Sequence, residues 1–474
     1  MIFGIKLIMT ITVLSFGDLI FAQSQISREN LVEEFHILKS TLEELHPDLF
    51  RYTEKKAFHA KADSILQSLN SSLDPIHFYL RLSPLVTQIK NGHTSIRPPG
   101  KLIDSLSVLP FRLIAFEGKV YINKYLGASD TSLVGYEIKT INDIAVGEIV
   151  NSAIPYVSVD GFNESARFKA VVEDDLSLYY GLLYGEPEKY RLHLIDRNGL
   201  SEKKEFLGIT YRQFLERYDH EDKFPWTIKR LDSGTAILTI RNFNNTAFAE
   251  GKKLSFAKTI EGIFKEIQKW QIERLILDIR FNGGGELKNS ILLYRYLANE
   301  PFQFCKHLEM ASILPPKYVH LTNYEKALKY APINRKTVSK KSENVFDVHD
   351  HFSQDKQELM GYRFKGKLIV LINGNTASAA GALASVVKND KRALIVGEEN
   401  RDNYTGFSAG VPVILTLPYS GITVFIPIRK FTYAVGQDNG RGIMPDYFYA
   451  STHKSFFRPQ DEQLDFLHEL FRLK

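Results

Sequence analysis

The chain has a single cysteine, Cys305, among 474 residues. An intrachain disulfide and a cysteine-based zinc site are both excluded, so stability has to come from a buried core. Excess charge is scarce as well. Sixty Lys and Arg against 55 Asp and Glu leave +5, too little over this length to hold a polyanion, so nucleic acid is not an expected partner. Past the N-terminal segment no apolar run exceeds a short buried strand, which leaves nothing there to span a bilayer. Phosphate-cradling signatures are missing too, since the glycine clusters match neither G-x-G-x-x-G nor a P-loop. What is present is ordinary globular usage: 44% hydrophobic, 12% aromatic and 24% charged residues, with 30 Gly and 18 Pro spread along the chain. That composition excludes disorder, collagen and coiled coil as the main state. At roughly 150 residues per domain the length suggests about three domains.

The N-terminus has the order of a secretory signal. Lys6 precedes the apolar run Leu7 to Phe16, and Leu19 to Phe21 lead to a small residue, Ala22, before Gln23. The run is shorter than the roughly 18 to 20 apolar residues a span requires, and Asp18 interrupts it. No cysteine follows it, which speaks against lipid attachment. The expectation is a signal peptide over residues 1–22 and a periplasmic or secreted mature protein with no stable membrane span.

Beyond it, Leu31, Phe35, Leu38, Leu42 and Leu45 recur at spacings of four and three, one face of an α-helix that ends near His46-Pro47. With the helical pattern that follows, residues 23–104 read as a helical N-terminal domain. From Leu109 the texture changes to short β runs, such as 119–123 and 190–195, punctuated by Gly118, Gly135, Gly161 and Gly199. This marks a β module over 105–208. Residues 209–474 alternate strand and helix: a strand at 235–240, a helical stripe at Ile260, Ile263, Phe264 and Ile267, and a nearly all-apolar strand at 275–279. A second such strand, 367–372, is followed by a small-residue helix from about 377 and a strand at 393–396. Alternation of this kind means an α/β domain. The polar, Lys-rich and His-containing stretch 305–362 breaks the rhythm and reads as an insertion over one face, of the length that often forms a lid.

Two strand ends in the α/β domain can carry chemistry. After the first come Gly283, Gly284 and Gly285, which let the backbone turn sharply and present N–H groups as an anion site or oxyanion hole requires; a flexible turn would look the same. After the second, Ser378 sits where a turn becomes a helix among Ala and Gly. A serine there has room around its Oγ and unpaired N–H groups beside it, although a plain helix cap would also fit. Both turns belong at the edge of an open α/β sheet where ligands bind. Of 13 histidines, His93 stands out in the glycine turn 90–95 as a candidate base for the serine. Asp347, His349 and His351 alternate as metal ligands on a strand face would, but no fourth ligand at useful spacing accompanies them, and they read as a solvated part of the insertion.

Together these segments resemble the C-terminal processing (tail-specific) serine peptidases and, within them, the tricorn-core-like branch. The motifs run in order along most of the chain: Asn-Gly-His-Thr at 91–94, the PDZ-like strand pair of Gly135 to Asn142, Leu277 to Gly285, Asn375 to Ala380, Val396 to Glu398, and Gly442 to Asp446. The resemblance implies a multidomain α/β architecture: a helical N-terminal domain, a PDZ-like β module and a crotonase-like α/β spiral catalytic domain. It implies a serine endopeptidase with Ser378 as nucleophile. The N–H of Ala379 and a glycine N–H of the 283–285 turn, Gly284 or Gly285, would form the oxyanion hole. Relatives with a lysine base carry it where this chain has Asn403, so the base role passes to His93, and Asp438, with Asp446 second, becomes the expected acidic orienter. Peptide or protein substrates follow, with no metal or organic cofactor. Two alternatives remain open from the residues: a non-catalytic peptide-binding relative, for which the absent lysine is the motive, and an acyl-transfer or ester hydrolase using the same oxyanion geometry.

Overall fold

The structure is a computed structural model that describes residues 25–128, 131–218, 225–246, 255–450, 452–457, 466–467 and 469–470. The signal-like segment 1–22 lies outside the described residues. The chain begins with three helices, Arg28–Leu45, Lys55–Ser68 and Pro75–Thr87. Ser27 caps the first by accepting the Asn30 N–H, and Asp74 caps the third through the N–H groups of Ile76 and His77. Leu31, Phe35, Leu38, Leu42 and Leu45 are all buried, so the face read from their spacing is the one that packs. A turn then leads into the short strand Ser95–Arg97, which pairs antiparallel with Thr423–Ile426 near the other end of the chain.

The next segment is an antiparallel sheet in the order Phe111–Phe116, Lys119–Tyr125, Glu137–Ile141, Lys189–Ile195 and Ser201–Leu207. Between its third and fourth strands the chain makes the helices Val146–Ala153, Glu164–Ala170 and Leu176–Tyr184, the last two joined by a π-helical turn, Val171–Asp175. These helices were not legible in a stretch read as β-rich, because their apolar faces are short and broken by Gly and Pro.

The α/β domain is built on a six-stranded sheet ordered Trp226–Arg230, Thr235–Ile240, Arg274–Asp278, Lys367–Ile372, Leu394–Gly397 and Tyr447–Phe448. The first pair is antiparallel and the remaining four are parallel. Space order follows chain order, so the crossovers are successive steps in one direction. The helices Phe256–Lys269, Leu287–Arg295 and Ala379–Asn389 connect the steps. Alternate residues of the two central strands face opposite layers. Leu275, Leu277, Val370 and Ile372 join the main core with the helices, while Ile276, Ile369 and Leu371 pack with Leu467 and Leu470. Burial on both faces explains why these strands read as continuous apolar runs.

The stretch 305–362 departs from its reading as an insertion over one face. Cys305–Met310 is a strand of a second, five-stranded sheet, paired with Arg429–Tyr433 on one side and with Val345–Val348 on the other. Leu308 and Met310 are buried, and Glu309 is covered by Lys341 at 2.7 Å. Its polar residues form ion pairs within the sheet, which is why their composition looked like solvated loop.

Candidate active site

The two functional turns meet because their strands are neighbours. Arg274–Asp278 and Lys367–Ile372 pair in parallel register, so the chain leaves both at the same edge and the turns are stitched together. The Phe281 N–H donates to Asn373 Oδ1 at 2.9 Å, the Thr376 hydroxyl to the Ile279 carbonyl at 3.0 Å, and the Ala377 N–H to the Asn282 carbonyl at 2.9 Å. Ser378 ends the second turn at φ 52°, ψ −124°, immediately before the helix Ala379–Asn389. A non-glycine residue at positive φ is strained, and a sharp strand-to-helix turn of this kind pushes a serine Oγ outward at a helix N-terminus. The strain is held by the buried Asp402, whose carboxylate accepts the Ser378 N–H.

The glycine turn lies against Ser378. A Cβ on Gly284 would come within 2.5 Å of Ser378 Cβ and 2.9 Å of the Ala379 nitrogen, and Gly284 has φ +103°. Only glycine permits that approach. Asn282 fixes the loop from below, donating to the Ile240 carbonyl at 3.0 Å and accepting the Gly284 N–H at 2.8 Å. The N–H groups of Gly283, Gly285 and Ala379 have no hydrogen-bond partner among the described residues.

His93 reaches this place from the opposite end of the chain. Its Nε2 is 3.3 Å from Ser378 Oγ across 285 residues of sequence, and its ring stacks on Phe407 at 4.7 Å with an 8° interplanar angle. The turn that carries it is locked by side chains. Asn91 accepts from the Thr94 hydroxyl at 2.7 Å, Thr94 is in turn 2.9 Å from His46 Nε2, and Asn91 donates to Asp160 at 3.1 Å and to the Ser408 carbonyl at 3.2 Å. The Gly92 N–H also donates to Asp160, at 3.0 Å.

Two buried carboxyl groups complete the cluster. One ligand-capable atom each from His93, Asp160 and Asp402 lie within 4.8 Å of one another. Asp160 is 2% exposed and Asp402 3%. Burial pushes the Asp160 carboxyl up to about 6, and burial with the charge of Asp160 raises Asp402 well above the carboxylate range. Burial, with the charge of Arg401 nearby, pushes the His93 imidazole down to about 4. At neutral pH it is therefore uncharged, with one ring nitrogen able to accept a proton. Arg401 is held by Asp174 at 3.0 Å.

Residues 234–448 match the sequence profile of peptidase family S41. This domain belongs to peptidase family S41. The chain is accordingly a serine-type peptidase, and peptides or proteins are its substrates. The fold agrees: mature CPAF complexed with lactacystin superposes with a TM-score of 0.69 at 14% identity, covering 94% of this chain and 98% of that one. A second structure of mature CPAF gives 0.64 at 14% identity, covering 92% and 96%. No curated protein sequence matches the chain.

Within the S41 domain and its flanking segments the structure brings Ser378, His93, Ala379 and the glycine turn together. It revises two expected roles. The Gly284 N–H is occupied by Asn282, so Gly284 serves as the gap that lets the turn approach the serine, and Gly283 and Gly285 keep their donors. Asp438 is not at His93. Its carboxylate accepts from Arg51 at 2.6 Å, Asn403 at 2.8 Å and the Gly440 N–H at 2.8 Å; the guanidinium and amide, which need an acceptor, claim it. Asp446 is further removed in role, bound to Lys388 at 2.6 Å and to the Ile395 N–H at 2.8 Å. The acids beside His93, Asp160 and Asp402, were missed. Asp402 stands next to the Asn403 slot and was legible as an acidic neighbour of the missing lysine. Asp160 carried no signal beyond an Asp-Gly turn.

The alternating Asp347, His349 and His351 do not converge. His349 contacts Ser339 at 2.7 Å and His351 contacts Ser353 at 2.7 Å. Among the described residues the one cluster of metal-ligand type is that of His93, Asp160 and Asp402.

Proposed function

We propose that the chain is an exported serine endopeptidase in which Ser378 attacks the peptide carbonyl and His93 takes its proton. The N–H groups of Ala379 and of Gly283 or Gly285 hold the oxyanion, and water then releases the acyl-enzyme. The observation that carries this reading is the 3.3 Å separation of His93 Nε2 and Ser378 Oγ, within reach of a hydrogen bond that tightens when substrate binds. It also weighs against a non-catalytic relative, because a binding protein has no need to keep a neutral imidazole on a strained serine. The Asp160–Asp402 pair takes the place expected of Asp438, offering negative charge to the imidazolium that forms after proton transfer.

Asp160 comes from the 105–208 module, and so does Glu173, which accepts from Asn375 of the serine turn at 2.5 Å. The module, PDZ-like in the resemblance, is proposed to present substrate while fixing the site. Export rests on the order of Lys6, the apolar run and Ala22; among the described residues no helix is long and apolar enough to cross a membrane.

The test is covalent labelling with a fluorophosphonate together with casein hydrolysis. Wild-type protein should label and cleave, and Ser378→Ala should do neither while keeping its circular dichroism spectrum, since loss of one Oγ leaves little cavity. Undiminished turnover by a folded Ser378→Ala protein would refute the nucleophile assignment. Hydrolysis of nitrophenyl esters with no cleavage of casein or of any peptide would favour the ester hydrolase.

A further inference from the structure

The cluster behind the serine contains more unsatisfied polar atoms than a catalytic histidine with its acid needs. His93 Nδ1 and Asp160 Oδ2 are both buried and make no hydrogen bond. A simple His–Asp pair would have satisfied both by one N–H···O bond, and none forms. A third side chain, Asp402, contributes a carboxyl to the same space, and the residue carrying the orphan oxygen, Asp160, is 2% exposed. Leaving a buried acceptor unmade is costly, and three groups that each offer a lone pair to one point are satisfied together by a cation.

We infer that His93, Asp160 and Asp402 form a divalent transition-metal site, best suited to Zn²⁺, whose occupancy switches the peptidase off. One imidazole and two carboxylates are a ligand set that zinc accepts, with further positions left for water. The neighbouring cation, Arg401, is already committed to Asp174 at 3.0 Å and does not fill the space. The effect on activity rests on the reading of His93 as base. Coordination through Nδ1 uses that lone pair and leaves the ring proton on Nε2, the atom facing Ser378 Oγ. Nε2 then donates to the serine and can no longer take its proton. Zinc would lower kcat without raising KM, by about tenfold when free zinc is ten times its Kd. A chelator would restore activity.

Binding is measured on the Ser378→Ala protein, which keeps all three ligands and cannot digest itself. Calorimetric titration with Zn²⁺ should give one site per chain, and adding Asp160→Asn or His93→Gln should weaken it by at least about tenfold. His349→Gln, on an exposed hairpin, should not change it. Crystals soaked in zinc and measured at the zinc absorption edge should give an anomalous peak between the three side chains; this decides the matter if a ligand variant fails to fold. No peak there, or a Kd weaker than about 1 mM, overturns the site. Fluorophosphonate labelling of metal-free wild type separates the two ideas: labelling without zinc binding refutes the metal site alone, and zinc binding without labelling refutes the nucleophile alone.

Discussion

The closest contact in the site gives the sharpest expectation, a comparison of two adjacent glycines. A Cβ at position 284 would sit 2.5 Å from Ser378 Cβ, 2.9 Å from the Ala377 carbonyl oxygen and 2.9 Å from the Ala379 nitrogen, at φ +103°. Ordinary contact needs about 1 Å more, so in Gly284→Ala either the glycine turn or the serine must retreat by that amount. A displacement of about 1 Å between nucleophile and oxyanion donors costs on the order of 10²-fold in kcat, or about 2.7 kcal/mol of transition-state stabilisation. The positive φ adds a separate cost of order 1–3 kcal/mol to folding. At position 283 a Cβ meets nothing within 4 Å, and Gly283→Ala should leave stability nearly unchanged and kcat far closer to wild type. Peptide hydrolysis gives kcat and KM for both variants, and thermal unfolding measures stability. The expected pattern is a large fall in kcat with little change in KM for Gly284→Ala alone. Equal activity of the two variants would refute the argument that the turn must touch the serine.

Two further expectations concern protons and acids. Because burial holds the His93 imidazole down at about 4 and pushes the Asp160 carboxyl up to about 6, kcat/KM should fall in two steps, one near pH 6 as Asp160 loses its charge and one below about pH 5 as His93 gains its proton. In Asp160→Asn only the lower step should remain, and a limb at about 6 to 7 that persists in that variant would refute the burial argument, since a solvated histidine titrates near 6.5. The sign for stability follows from the same shift: the unfolded chain takes up the His93 proton first, so this group makes the fold less stable as pH drops from about 6.5 toward 4, which circular dichroism melts across that window would register. Asp160→Asn should lower kcat by about tenfold to a hundredfold by removing charge beside His93, while Asp438→Asn, in the Arg51 network, should change kcat less than about twofold and stability by no more than about 1 kcal/mol. The reverse ranking in kinetic assays would return the orienting role to Asp438.

What the sequence determined by itself was local. The helix face of Leu31 to Leu45, the two apolar strands and the turns that follow them are set by spacing and by glycine, and each appears where its residues predict. Which turns meet was also within reach, since strands buried on both faces imply a parallel sheet with its turns at one edge. His93 was found only through a resemblance in motif order, because nothing in Asn-Gly-His-Thr says that it will pair with a serine 285 residues away. The tertiary structure decided the rest. The strand Ser95–Arg97 anchors the His93 turn to the C-terminal part of the chain by pairing with Thr423–Ile426, and the Phe407 ring fixes the imidazole plane. Asp160 and Asp402 come from different segments, and their proximity depends on how the β module docks. Asp438 was misassigned for the same reason: its position along the chain matched, but the guanidinium of Arg51 reached it first. A carboxylate's role depends on which donor faces it, and facing is a property of packing that no spacing in the chain encodes.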